Sequence, residues 1–143
     1  MQLHTIPNDT GCPSYIVVDE LTHMAALVNP QRELGKFRDL AGEFGFSYRY
    51  VIAPQAMAMP EATLRLAGES GARVYVFEQY FEASGEFELL RPGDVFEFGN
   101  VRLRIQQSRD IASCMLLSIY DLTISEREPQ VVLGESHAGK AFG

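Results

Sequence analysis

Between Ala53 and Pro60 the chain reads APQAMAMP. A strand-like run, Ser47 to Ile52, precedes this stretch, and a helix-like run, Glu61 to Glu69, follows it. A loop from a strand into a helix is where α/β proteins commonly bind ligands. Here the polar donors are the Gln55 amide and the thioethers of Met57 and Met59, with no acid, base or nucleophile. Thioethers can ligate soft metals, meet an apolar partner or fill a gap in packing, and packing is the plainer reading.

The other reactive residue types are sparse. Gly134-Glu-Ser-His-Ala-Gly-Lys140 approaches a P-loop, but Ala141 stands where a Ser or Thr must bind magnesium. Only three residues follow Lys140, too few for the helix whose N-terminus holds the phosphates. His4, His23 and His137 are the only histidines. A metal site built from them needs distant segments to converge, so they read as ordinary imidazoles, His4 in a mobile N-terminal tail. Ser136 and His137 are adjacent, which is not the geometry of a catalytic triad. Cys12 and Cys114 are the only cysteines and lie far apart. They read as reduced thiols of a cytoplasmic protein, with Cys114 shielded in an apolar strand.

Composition narrows the classes further. The chain has 143 residues, 46% of them hydrophobic, enough for one domain with a core. Its net charge of -7 disfavours nucleic acid or anionic membrane as main partner, since both require a positive footprint. The first ten residues do not form a signal peptide, and no apolar run is long enough to span a membrane.

These residues must be positioned by an alternating set of elements. Tyr15–Val18 and Met24–Val28 read as a hairpin closed by Asn29-Pro30. Leu34, Phe37, Leu40, Ala41 and Phe44 recur at three- and four-residue steps, predicting a helix over 31–44 with Gly45 as its cap. Tyr48–Ala53 is a strand. Pro60 opens a second helix with an apolar face of Ala62, Leu64, Leu66 and Ala67, ended by Gly68 and Gly71. Ala72–Phe77 is another strand. Short strands then follow at Phe87–Leu90, Val95–Phe98, Val101–Ile105, Ser113–Leu122 and Gln130–Leu133. Turns lie at Arg91–Asp94 and Gly99-Asn100, and polar loops at Gln106–Ala112 and Thr123–Pro129. Val101, Leu103 and Ile105 face one way, Arg102 and Arg104 the other. The order favours a layered α/β sheet in one domain over 1–143.

Several stretches resemble the metallo-β-lactamase fold family, with glyoxalase II, persulfide dioxygenase and flavodiiron-type proteins as nearest relatives. CPSYIVVDE…AALVNP is similar to that family's opening hairpin, ending in Asn29-Pro30 where Asp-Pro-Gly is usual. YVIAPQAMAMPEATLRLAGESGARVYV resembles the segment carrying the metal motif T-H-x-H-x-D-H. LLRPGDVFEFGNVRLRI resembles the hairpin with a G-D turn. QQSRDIAS lies where T-P-G-H-T-P-G-S is usual, and VVLGESHAGKAFG resembles the L-x-T-G-D segment. The resemblance covers nearly the whole chain and rests on order and spacing. It implies the family's αββα sandwich, represented mainly by its N-terminal half, with a mixed sheet and two main helices.

Carried over by position, His-x-His-x-Asp-His falls on Gln55, Met57, Met59 and Pro60. The third-motif His falls on Arg109 and the bridging Asp on Glu135. Only Glu135 keeps an ordinary metal-binding side chain. Zinc or iron requires several imidazole and carboxylate ligands, and metal-assisted hydrolysis requires the metal to acidify water. The resemblance therefore implies the fold without its chemistry. It leads to the expectation of no metal, no cofactor and no catalytic residue, with Arg109 a fixed positive charge beside Glu135.

The leading expectation is a non-catalytic domain with an assembly, scaffolding or regulatory role through a protein partner. A lone half-sandwich would leave an apolar sheet face uncovered, so a homodimer is expected. An alternative is a small-molecule or anion-binding protein that reuses the former metal pocket, with Gln55, Met57 and Met59 lining it and Arg109 holding the anion. A further alternative is a metallohydrolase or oxidoreductase with altered ligands, using Glu135, His137 or Cys114.

Overall fold

The computed structural model describes residues 1–7, 13–30, 35–53, 61–77, 88–107 and 115–133. Ten strands and two helices follow in the order β1 (Gln2–Ile6), β2 (Ser14–Asp19), β3 (Met24–Val28), α1 (Gly35–Phe44), β4 (Ser47–Ala53), α2 (Glu61–Ser70), β5 (Arg73–Phe77), β6 (Glu88–Leu90), β7 (Val95–Phe98), β8 (Val101–Gln107), β9 (Met115–Asp121) and β10 (Val131–Leu133). They form two sheets, β1-β2-β3-β4-β5-β6 and β10-β9-β8-β7. The first is mixed: β1, β2 and β3 pair antiparallel, while β3 to β6 pair parallel. The second is antiparallel throughout.

Two cores explain the layers. Ile16, Val18, Ala25, Leu27, Val51 and Val74 face Phe37 of α1 and Leu66 and Ala67 of α2. The alternate residues Tyr15, Val17, Ala26, Val28 and Ile52 face Phe96, Leu103, Ile105, Leu117 and Ile119 of the second sheet. The central strands are therefore apolar on both sides, as a sheet covered on both faces must be. The outer face of the second sheet differs. Glu97, Arg102 and Arg104 lie there, with Glu97 and Arg102 ion-paired at 2.8 Å, beside Ser118, Tyr120 and Val132. The expected four-layer sandwich is thus seen among the described residues as three layers: helices, sheet, sheet. Where an uncovered apolar face is expected, this face mixes charged, polar and apolar residues, and Ser118 and Tyr120 on it are buried.

Local chemistry sets the boundaries. Gly45 and Gly71 adopt left-handed φ of 70° and 73°. Beyond them, Phe46 and Ala72 donate their amides back to Ala41 and Ala67 at 3.1 and 2.9 Å, closing both helices with glycine caps. Gly68, expected at the helix end, lies within α2. The two sequence-derived polar ends also shift: Gln106 and Gln107 pair with Leu116 and Met115 inside the sheet. The expected N-terminal tail is a strand, with His4 opposite Ile16.

Strict alternation would put Tyr48 and Tyr50 on one face. Instead Tyr48 joins the helix-side core and Tyr50 the inter-sheet core. The register jumps here, from Ala25 opposite Tyr48 to Ala26 opposite Tyr50. Arg49 is the extra residue of a β-bulge, which inverts the side-chain order beyond it. Tyr48 donates its hydroxyl to the Phe37 carbonyl at 2.7 Å, satisfying a group whose burial pushes its pKa up.

Candidate functional site at the open end of the sandwich

Strand register defines two ends of the molecule. Ile6 lies opposite Ser14, Tyr15 opposite Val28, Val28 beside Ile52, and Ala53 beside Val76. In the second sheet, Gln107 lies opposite Met115 and Leu133 opposite Leu117. The other end is pinned across the sheets: the Asn100 amide, in the β7–β8 turn, donates 3.0 Å to Asp19 at the far end of β2. The ends Ala53, Gln107 and Leu133 therefore lie together, opposite that pin. The chain enters segments 54–60, 108–114 and 134–143 from this single end.

Those segments carry Gln55, Met57, Met59, Pro60, Arg109 and Glu135. All six lie outside the described residues, as do Cys12, Cys114 and His137. Of the described histidines, His4 stacks near Phe44 and Phe46, ring centroids 5.0 and 6.3 Å away, and its buried Nε2 has no partner. His23 occupies the β2–β3 turn with φ 60°. No cluster of three or more His, Cys, Asp or Glu able to hold a metal occurs among the described residues.

At the open end the described residue of most interest is Asn29. It is buried, with φ 59°. Its amide donates to the Ile52 carbonyl at 2.9 Å, its carbonyl accepts the Ser14 hydroxyl, and its Nδ2 reaches the Pro13 carbonyl at 3.3 Å. Its Oδ1 is buried without a partner. Asn29 thus fastens β2, β3 and β4 where the chain enters the candidate site. Sequence alone marked it as the end of a hairpin.

The closed end is built from two buried carboxylates. Asp19 accepts the Thr22 amide and hydroxyl at 2.8 and 2.7 Å as well as the Asn100 amide. Burial pushes its carboxyl up, but these hydrogen bonds outweigh burial and leave it below its ordinary value. Asp121 accepts the Thr123 hydroxyl and amide at 2.6 and 3.1 Å. The Thr123 hydroxyl leads the causes that hold it low, against burial.

Comparison with solved structures places this architecture. A metallo-β-lactamase from Staphylococcus aureus superposes on 93% of the chain with a TM-score of 0.76 at 15% identity. The chain has a metallo-β-lactamase fold. ETHE1 from Myxococcus xanthus covers 85% of the chain with a TM-score of 0.68 at 17% identity. A metallo-β-lactamase from Cronobacter sakazakii with a HARLDQ motif covers 78%, with a TM-score of 0.61 at 15% identity. The chain spans only 42%, 55% and 52% of the lengths of these three structures. No family model matches its sequence, and no curated protein does.

The metal that the metallo-β-lactamase fold implies does not fit the residues at the corresponding positions. By sequence, the positions carried over from the family motif hold an amide, two thioethers, a proline ring, a guanidinium and one carboxylate. Zinc and iron sites are made from imidazole, thiolate and carboxylate donors, and a guanidinium repels a cation.

A second feature escaped sequence reading. An open cleft of about 500 Å³ lies at the β6–β7 edge, lined by Tyr50, Tyr75, Glu88, Arg91 and Phe96 among others. The Arg49 bulge is what turns Tyr50 toward it, and no period-two reading of the strand could have found that.

No helix among the described residues is long and apolar enough to cross a membrane.

Proposed function

We propose that this chain is a non-catalytic metallo-β-lactamase-like domain that acts through protein–protein contacts. The observation that carries the reading is the replacement of His-x-His-x-Asp-His by Gln55, Met57, Met59 and Pro60, with Arg109 at the next ligand position. The HARLDQ motif of the Cronobacter sakazakii neighbour keeps a His and an Asp; this segment keeps neither. Without several imidazoles or carboxylates, a metal cannot be held to acidify water, and the fold's hydrolytic route has no nucleophile.

The same reading includes a cytoplasmic homodimer. The copies would pair with twofold symmetry through the outer face of the second sheet. The outer face of the second sheet offers Val95, Arg102, Arg104 and Val132 to the second copy. Such an interface would be polar and wet rather than core-like.

Native mass spectrometry of protein equilibrated with zinc and iron salts tests both parts at once. A metal-free dimer is the expected species. A tightly bound transition metal would overturn the loss of catalysis, and a monomer at micromolar concentration would overturn the dimer.

A further inference from the structure

The two sheets differ in width. Six strands face four, and β6 and β7 each end their sheet. The inner face of β4 and β5 therefore runs out beyond β7. Aliphatic residues would be poorly placed in such a half-wet overhang. Tyr50 and Tyr75 occupy it instead, each partly buried and packed on the inter-sheet core. Tyrosine suits the position because its ring can be covered while its hydroxyl stays wet.

Tyr50, Tyr75 and Phe96 form one aromatic floor. Ring centroids are 4.6 Å apart for Tyr75–Phe96, 5.2 Å for Tyr50–Phe96 and 6.2 Å for Tyr50–Tyr75. A cage for an ammonium group needs rings spread around the cation, each within about 6 Å of it. These rings pack on one another, so they leave no space between them for a cation. They meet at 55–68° and Phe96 is only 5% exposed, so the wet ring surface open to a ligand's ring is that of Tyr50 and Tyr75.

The charges around the floor are not equivalent. Burial and the nearby Glu88 carboxylate push the Tyr75 hydroxyl above its ordinary pKa, against Arg73. Asp94 Oδ2 accepts the Arg91 amide at 2.8 Å. Arg91 and Asp94 both line the cleft, and the exposed Arg91 side chain makes no ion pair among the described residues. Its backbone is held: the Asp94 amide donates to the Arg91 carbonyl at 3.1 Å, and Gly93 and Asp94 bond to Ile105 of β8 at 2.7 and 2.9 Å. An unpaired guanidinium on a fixed turn is suited to a planar carboxylate. Glu88 lies three strand steps from Arg91, about 10 Å away, and retains acceptor capacity for a donor at the ligand's other end.

We propose that this overhang binds an elongated aromatic carboxylate, its ring against Tyr50 and Tyr75 over the buried Phe96, its carboxylate on Arg91 and a distal hydroxyl or amine on Glu88. The volume suits a small ligand. The site is built wholly from described residues and does not depend on the proposed loss of metal ligands.

The test is a titration followed by amide chemical shifts, using 4-hydroxyphenylacetate, phenylacetate and tyramine as probes. The expected order of affinity is 4-hydroxyphenylacetate, then phenylacetate, with tyramine last, and shifts centred on Leu89, Val95 and Phe96. Arg91→Ala, at an exposed position, should weaken 4-hydroxyphenylacetate about tenfold, the loss expected for one charge-assisted pair. Glu88→Ala should make the two carboxylates bind alike. The proposal is overturned if tyramine binds as well as 4-hydroxyphenylacetate, if Arg91→Ala leaves affinity unchanged, or if no shifts occur at about 10 mM ligand, beyond which affinity is weaker than specific recognition.

Discussion

Asp19 and Asn29 stand at opposite ends of the β2–β3 hairpin, and the chain treats them differently. Asp19 is a charged group only 2% exposed, and three donors surround it. Asn29 is neutral and similarly buried, yet one of its oxygens has no donor. The Asp19 end joins its strands by tight turns, with cross-sheet links from the Asn100 amide to Asp19 and from the Met1 ammonium to Asp121 at 3.6 Å. The Asn29 end leads into the segments where the metallo-β-lactamase fold would hold its metal. One end is closed for stability, and polar satisfaction there is complete at Asp19. Each end has one left-handed non-glycine residue among the described residues, His23 and Asn29, but only Asn29 also carries an unmet acceptor, a cost that Asp19 avoids.

The comparison breaks first at Gly99, if it breaks at all. Gly99 has φ 60°, and an added Cβ would land on the Asp19 carboxylate. That carboxylate can move only by surrendering its hydrogen bonds. Gly99→Ala should therefore cost about 3 kcal/mol in denaturant unfolding. Asp19→Ala should cost somewhat less, about 2 kcal/mol, by leaving the Asn100 amide and the Thr22 donors without their acceptor. A loss below 0.5 kcal/mol for either, about the level of an ordinary surface change, would mean the closed end is not what holds the sheets in register.

The same carboxylates set a pH dependence. Both have folded-state pKa values below their ordinary ones. Their stabilisation is therefore present above the unfolded carboxyl pKa and is lost as pH falls through the folded values, below about pH 4. Thermal melts between neutral and acid pH should show this loss, and Asp19→Asn should flatten the acid limb. An unchanged limb would remove Asp19 from the account.

The open end should respond least. Asn29→Ala places an ordinary side chain at φ 59° and should cost about 1 kcal/mol. Asn29→Gly removes both the strain and the unpartnered oxygen while losing the bond to Pro13, so it should lie within about 0.5 kcal/mol of the parent. If Asn29→Gly instead proved as damaging as Gly99→Ala, the two ends would be equivalent and the contrast would fail.

Much of the fold was legible in local pattern. Leu34-type spacing gave the first helix, Pro60 and Gly71 bounded the second, and alternation in Val101–Ile105 separated its core face from its arginines. Period and caps depend on residues a few positions apart, so they survive in a single sequence. β1 was missed because its pattern is weak: His4 and Thr5 gain their place only by pairing with β2. The Arg49 bulge was missed because an inserted residue looks like any other until its neighbour strand is known.

The sequence by itself determined both helices, their caps, most strands after the first, and the absence of imidazole and carboxylate from APQAMAMP, because each is a matter of residue identity and short spacing. Only the tertiary structure decided that six strands face four, that Asp19 meets Asn100 across 81 positions, and that Tyr50, Tyr75 and Phe96 share one floor. Those facts depend on which strands pair and in what register. Register is settled by burial summed over whole faces rather than by any residue's own preference.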